Sequence, residues 1–265
     1  MHPMLNMAIR AAREAGTLIT RALAHGKVLR IENKAQHDFV TDLDRASEAK
    51  IIEILKKAYP HHNFLGEESG AQRQNAGYEW IIDPIDGTTN FIHGHPYFSI
   101  SIALRFEEHI EQAVVYDPLR EELFTATRGS GAFLNDRRIR VTNASLEGGL
   151  LGTGFPFRYH EHLDAYLNTF KALFPYASDV RRAGSAALDL SYVAAGRLDG
   201  FWEIGLQPWD MAAGVLLIQE AGGMVCDFGG GNEYFKTGNI IGGNPKILKA
   251  IQTTIQPYLS AQLQK

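Results

Sequence analysis

The segment Trp80-Ile81-Ile82-Asp83-Pro84-Ile85-Asp86-Gly87-Thr88-Thr89-Asn90-Phe91 decides how this chain is read. Its apolar start predicts a buried strand that delivers Asp83 to its end, where Pro84 removes a ladder donor and biases Asp83 to extended backbone. The chain is expected to turn there. Asp86 follows three residues later, so two carboxylates can converge on one point, and like charges that close are tolerated only with a shared proton or a cation. Oxygen ligands with no cysteine nearby favour Mg²⁺, Mn²⁺ or Ca²⁺ over zinc. Gly87-Thr88-Thr89 then opens a helix, and a glycine at such a turn lets a phosphate approach free backbone N–H groups. The competing reading, a plain Asp86-Gly87 turn with Asp83 as a cap, requires the acid pair and the anion-cradling turn to adjoin by coincidence.

Upstream, Leu5, Ile9, Ala12, Gly16 and Ile19 form the stripe of an amphipathic helix beginning after Pro3. A second helix, capped by Thr41 or Asp42 and carrying Ile51, Ile54, Leu55 and Ala58, is stopped by Pro60, and a short strand runs from Asn63 to Leu65. Downstream, Phe98, Ile100, Ile102, Leu104 and Phe106 alternate at period two, with turns at Glu107-Glu108-His109, Asp117-Pro118 and Arg128-Gly129-Ser130-Gly131, so consecutive strands are expected to pair antiparallel. Asn143 to Gly149 marks a boundary. Beyond it strands (Leu150 to Phe155, Leu198 to Glu203, Met224 to Asp227, Asn239 to Gly242) take turns with helices (His162 to Leu173, Leu188 to Ala195, Met211 to Glu220, Lys246 to Leu263). The expectation is an α+β half over residues 1–142, with an antiparallel sheet and the main acidic motifs, followed by an α/β half over 150–265, together one compact unit.

Composition narrows the function. At 265 residues the chain suits one large or two small domains, and 45% hydrophobic with 21% charged residues is ordinary for a globular fold. Thirty acidic against 26 basic residues leave a net charge of -4, which supplies no global field for nucleic acid or acidic membranes. Cys226, the single cysteine, excludes an intrachain disulfide and fits a reducing compartment. Arg10, Arg13 and Glu14 interrupt the first 20 residues, so a soluble, cytoplasmic chain is expected.

Other motifs are weaker alone. Gly66-Glu67-Glu68-Ser69 offers two acids on a loop, and Pro208-Trp209-Asp210-Met211-Ala212-Ala213-Gly214 an aspartate opening a helix; a solvated pair and an N-cap are the plain alternatives. Gly229-Gly230-Gly231-Asn232 lacks the strand-to-helix context of a phosphate loop, His93/His95 and His160/His162 lack zinc spacing, and Cys226 reads as core. No Gly-x-Ser-x-Gly elbow is present, which argues against acyl transfer by an α/β-hydrolase serine.

Taken together, Gly66 to Ser69, Asp83 to Phe91 and Trp209 to Gly214 resemble, in order and spacing, the three signatures of the inositol monophosphatase family, over nearly the whole chain. Met1 to Asn6, Asp38 to Thr41 and Gly184 to Leu190 are similar to its bacterial SuhB-type branch. The resemblance implies a layered αβαβα sandwich of the inositol monophosphatase and fructose-1,6-bisphosphatase type, usually a homodimer, that hydrolyses phosphate monoesters with Mg²⁺ and is inhibited by Li⁺. It implies metal ligation by Glu67, Asp83, the Ile85 carbonyl, Asp86 and Asp210, with two or three Mg²⁺ ions and Mn²⁺ as a substitute. Asp44 would hold Thr88, which with Glu67 activates water; Gly87 and Thr88 N–H groups would bind phosphate. Glu203, Gly184 and Ala186 would meet the alcohol, and Lys34 is similar to a mobile-loop lysine in a loop about one residue shorter than in animal relatives.

The resemblance points to inositol 1-phosphate as substrate, with other sugar phosphates, fructose 1,6-bisphosphate and NADP as alternatives. Haloacid dehalogenase phosphatases share the Asp-Gly-Thr element, but their second acid follows the first by two positions, whereas here Asp86 follows Asp83 by three, with a proline between. A different class is a regulatory protein: relatives associate with RNA polymerase in antitermination, and Arg181-Arg182 is the feature to examine for such a contact. Neither membrane nor direct nucleic-acid binding is expected.

Overall fold

The computed structural model describes residues 2–24, 31–35, 38–74 and 77–264, with backbone alone over 31–35 and 38–40. Helix α1 (Pro3–Ala24) starts on its proline, whose missing N–H costs nothing in the first turn, and buries Leu5, Ala8, Ala12, Ala15 and Ile19. Strands β1 (Ile31–Ala35) and β2 (Asp38–Thr41) pair antiparallel and lead into α2 (Asp42–Ala58). Thr41 caps α2: its hydroxyl accepts from the Leu43 and Asp44 N–H groups, while the Asp44 carboxylate accepts the Thr41 N–H at 2.9 Å.

The first half then builds β3 (Asn63–Gly66), β4 (Gly70–Gln72), β5 (Tyr78–Asp86), the short α3 (Thr88–Ile92), β6 (Ser99–Phe106), β7 (His109–Asp117), β8 (Glu122–Thr127), β9 (Gly131–Leu134) and β10 (Arg137–Arg138). Eight of these strands form one sheet in the order β10-β9-β8-β7-β6-β5-β3-β4. The expected antiparallel run holds from β5 through β10, whereas β3 lies parallel to β5 and β4 is an additional edge strand.

The second half contributes β11 (Leu150–Thr153), α4 (Leu163–Leu173), β12 (Asp179–Arg181), α5 (Ala186–Ala194), β13 (Gly200–Glu203), α6 (Pro208–Glu220), β14 (Met224–Cys226), α7 (Tyr234–Thr237), β15 (Ile240–Gly243) and α8 (Pro245–Ile255). Its five-stranded sheet has the order β12-β11-β13-β15-β14, parallel at β12-β11-β13 and antiparallel beyond. The closing helix ends at Ile255 rather than Leu263. Pro257 follows in a 3₁₀ turn over Gln256–Tyr258, because proline cannot continue an α-helix.

Strand parity explains the layering. Trp80, Ile82, Ile100, Ile102, Leu104 and Val114 point to α1 and α2, whereas Ile81, Ala103, Ala113 and Val115 point to α5 and α6. The other side of α5 and α6 meets Phe201, Val225 and Ile240 of the second sheet. Helix α6 is buried from Asp210 through Ile218, as befits a helix apolar on every side. The outer face of the second sheet, with Leu151, Trp202 and Ile241, is closed by Tyr166 of α4 and by Ile247, Ile251 and Ile255 of α8. The result is the αβαβα succession. Among the described residues no helix is long and apolar enough to cross a membrane.

Candidate active site

The sheet does not end at Asp83. Strand β5 continues to Asp86, and its pairing with β6 slips by one residue, from Asp83 opposite Ser101 to Asp86 opposite Ser99. In a regular strand, residues three apart face opposite sides. The extra residue of this bulge, around Pro84, turns Asp86 back to the side of Asp83, and Ile85 correspondingly joins the core beneath α1 and α2. A bulge at proline is the expected accommodation, since proline has no N–H for the ladder. The Asp83 carboxylate also accepts the Ile85 N–H at 3.0 Å, which braces the bend.

Asp210 arrives from the other half. It occupies the first turn of α6, where its carboxylate accepts the Gln207 N–H at 2.7 Å and Arg158 Nη1 lies 3.6 Å away. One carboxylate oxygen from each of Asp83, Asp86 and Asp210 lies within 4.8 Å of the others, and all three residues are buried. Glu67 hydrogen-bonds to Asp83, and its loop is fixed by a residue the motif search did not single out: the buried Glu48 carboxylate accepts N–H groups from Glu68 at 2.9 Å and Ser69 at 2.8 Å. Gly66 is needed for this approach, as a Cβ there would sit 2.5 Å from the Glu48 carboxyl.

Burial pushes the Asp83 carboxyl well above its usual range, with Glu67, Asp86 and Asp210 adding repulsion. Asp86 and Asp210 are pushed up to about 7, again first by burial. Asp86 is partly offset by donors from α5, the Ser185 hydroxyl and the Ala187 N–H at 2.8 Å, and Asp210 by Arg158. A dry acid cluster of this kind is stable ionised only beside positive charge.

Thr88 lies next to the cluster, its hydroxyl 3.2 Å from Asp44 Oδ1 and 3.0 Å from the Ile85 carbonyl. Asp44 is buried, which raises its pKa, while the Thr41 hydroxyl and N–H oppose that rise. The same carboxylate therefore caps α2 and holds Thr88. Gly87 adopts φ +98°, a left-handed conformation suited to glycine, and places α3 at the cleft. Asn90 donates to the Tyr97 carbonyl at 2.7 Å and the Ala183 carbonyl at 2.8 Å, tying α3 to the loop that carries Gly184.

These groups, Glu67, Asp83, Ile85, Asp86, Gly87, Thr88 and Asp210, line a cleft of about 420 Å³ together with Phe155, Phe157, Arg158, Arg182 and Gly184. Glu203 and Ala186 are not in its lining. Ala186 is buried at the start of α5, and Glu203 is half-buried against Gly154, where a Cβ would lie 1.9 Å from its Oε1. Burial raises the Glu203 carboxyl well above its usual range, against the pull of Arg182. Lys34 is on β1, with its side chain outside the described residues. Arg158 and Phe157 escaped the sequence reading because lone residues between elements carry no periodic signal, and Phe155, expected at the end of a strand, lies past β11, which stops at Thr153. Arg182, read as a charged strand end, follows β12 and reaches the cleft.

The remaining motifs stay outside the site. Asp227 accepts N–H groups from Gly231 at 2.7 Å and Glu233 at 2.8 Å, so the glycine run is a turn folded around its own carboxylate. Cys226 is buried on β14, which pushes its thiol up to about 11. The histidine pairs join no metal-competent cluster among the described residues.

A model of the inositol monophosphatase family matches residues 1–261. The chain is 55% identical to the Nus factor SuhB of Pseudomonas aeruginosa over the full length of both. Among solved structures, extragenic suppressor protein suhB from Bartonella henselae superposes with a TM-score of 0.93 at 44% identity, covering 96% of this chain and 99% of that one. The IMPase of Thermotoga maritima gives a TM-score of 0.87 at 37% identity, covering 96% of this chain and 97% of that one.

Proposed function

The chain belongs to the inositol monophosphatase family, and from that premise we propose that it hydrolyses phosphate monoesters with Mg²⁺, inositol 1-phosphate being the leading substrate. The observation that carries this reading is the bulge-directed convergence of Asp83, Asp86 and Asp210 beside the Gly87 turn. A donor set made only of carboxylate and carbonyl oxygen fits a hard divalent cation, and its like charges need one. Glu67, Asp83, the Ile85 carbonyl, Asp86 and Asp210 are the residues that would hold it. Bound there, Mg²⁺ supplies positive charge for the phosphate and the leaving oxygen and makes water a better nucleophile at neutral pH.

The chain's own groups divide the remaining work. The N–H groups of Gly87 and Thr88, at the opening turn of α3, take phosphate oxygens. An ionised Asp44 accepts the Thr88 proton, which leaves Thr88 Oγ1 an acceptor that orients the attacking water, and the Glu67 carboxylate takes the proton that water gives up. Attack comes from water, so no phosphorylated aspartate is formed. Of the residues expected to meet the alcohol, Gly184 lines the cleft and would do so directly, whereas Ala186 and Glu203 stand outside its lining. Li⁺ is expected to inhibit and Mn²⁺ to substitute.

The assay is Mg²⁺-dependent phosphate release from inositol 1-phosphate, glycerol 2-phosphate, fructose 1,6-bisphosphate and NADP, with and without Li⁺. Asp83→Asn should abolish turnover; inositol 1-phosphate ranking among the poorest substrates would reject the substrate assignment.

Alongside catalysis, the Nus factor name of the Pseudomonas relative favours a second role, association with RNA polymerase in antitermination, from the cytoplasm. Assembly as a homodimer is supported by Leu163, Leu167 and Phe174, exposed at helical spacing along α4 and its end, with exposed Tyr176 beside them. Pull-down of polymerase by wild type and Asp83→Asn separates the roles, since equal capture means that binding does not need catalysis.

A further inference from the structure

We propose that Tyr97 and Asp189 are a positioning pair, whose hydrogen bond fixes the Gly87 turn against the helix that supplies Asp86 with its donors. The inference rests on the phosphatase reading and deepens it with two residues outside the cleft lining. Asp189 stands on α5 among Ala187, Leu188 and Leu190, all of them buried. An acid at such a place carries a desolvation cost that leucine would not. Its partner offsets that cost: the Tyr97 hydroxyl, itself buried, donates to Asp189 Oδ1 at 2.7 Å. A buried polar pair is satisfied in one relative placement only, whereas apolar neighbours can slide past each other.

Each end of the bond leads to the site. Tyr97 lies between α3 and β6; its carbonyl accepts Asn90 Nδ2 at 2.7 Å and stands 3.1 Å from where a Gly87 Cβ would be. The turn therefore rests directly on the Tyr97 backbone. At the other end, Asp189 lies one turn along α5 from Ser185, and its N–H donates to the Ser185 carbonyl at 3.0 Å. The Ser185 hydroxyl and the Ala187 N–H are the donors to Asp86. Asp86 and Gly87 are adjacent in the chain, so the contacts close into a ring running Gly87, Asn90, Tyr97, Asp189, Ser185, Asp86. The Tyr97 ring is itself held in place. The Arg120 guanidinium carbon lies 5.7 Å from its centre, Tyr192 meets it edge-on at 5.9 Å, and Arg120 Nη1 donates to the neighbouring Pro96 carbonyl at 2.7 Å. A hydroxyl on a ring so fixed sets a position for α5 rather than following it.

The test measures the inhibition constant of inorganic phosphate against Mg²⁺-dependent ester hydrolysis, a quantity independent of the fraction of folded enzyme. Wild type, Tyr97→Phe, Asp189→Asn, Asp189→Leu and the double variant Tyr97→Phe/Asp189→Leu are compared, with Tm recorded for each. Tyr97→Phe and Asp189→Leu should each weaken phosphate about tenfold, and the double variant about tenfold in all, because the same bond is lost in every case. Asp189→Asn keeps an oxygen acceptor for the hydroxyl and should stay within about threefold of wild type. The double variant leaves neither polar group buried without its partner, so it should regain Tm over the single variants without regaining phosphate affinity, which a purely structural role would not give. An inhibition constant within twofold of wild type in Tyr97→Phe, or one that recovers together with Tm in the double variant, overturns the proposal. Failure of wild type to turn over any ester would reject the phosphatase reading instead. Amide hydrogen exchange in the metal-free protein then decides the pair: residues 87–91 should exchange at least tenfold faster in Tyr97→Phe while α8 is unaffected, and unchanged exchange at 87–91 refutes it.

Discussion

Glu48→Gln is a sharp perturbation because Glu48 holds the backbone of the Glu67 loop through the Glu68 and Ser69 N–H groups. The wild-type carboxylate accepts two N–H groups, at 2.9 Å and 2.8 Å, in a buried setting. Glutamine keeps one acceptor but turns an NH₂ group toward a backbone N–H, so one charge-assisted bond is lost and a buried donor is left unpaired. That costs about 2–3 kcal/mol, equivalent to roughly 30–150-fold in an equilibrium. If the cost is relieved by releasing the loop, Glu67 leaves Asp83 and the Mg²⁺ concentration for half-maximal phosphate release rises tenfold or more. Gly66→Ala should act in the same direction, since its methyl would displace the Glu48 carboxyl. The assay is a Mg²⁺ titration of turnover with thermal unfolding recorded in parallel. A folded Glu48→Gln enzyme whose Mg²⁺ half-saturation stays within twofold of wild type would refute the positioning argument.

Two further outcomes follow from the acid cluster. Asp86 and Asp210 titrate near 7 in the folded chain, against about 3.9 when unfolded, so between pH 4 and 7 the metal-free fold binds more protons and its stability falls as pH rises. Calorimetric Tm in chelator should drop from pH 5 to pH 8, and Mg²⁺ should raise it much more at pH 8; equal Mg²⁺ shifts at both ends would contradict the assignment. Ser185→Ala removes a donor to the ionised Asp86 and should move the acid limb of the pH–rate profile to higher pH with turnover down about tenfold, whereas an unmoved limb would count against that hydrogen bond's role.

Amphipathic and alternating segments were legible because burial imposes a period on them. The α1 stripe and the β6 alternation each report which side meets a core, and the three acidic signatures can be placed on elements from the sequence alone. The bulge at Pro84 was not legible, because residue parity alone sends Asp83 and Asp86 to opposite faces and only the register against β6 reverses it. Glu48 was hidden for a related reason. On α2 it reads as one of several helix acids, and its partners are backbone groups 20 and 21 residues away. Nor did spacing suggest that Arg158 and Arg182 line one cleft, since it is sheet order that brings the end of β12 beside the segment after β11.

Asp83, Asp86 and Asp210 are proposed to hold a divalent ion jointly. Titration of the metal-free protein with Mn²⁺, followed by electron paramagnetic resonance, tests it without requiring turnover. Saturable binding that weakens at least a hundredfold in Asp83→Asn is the predicted result; the same Mn²⁺ affinity in both proteins would contradict the account.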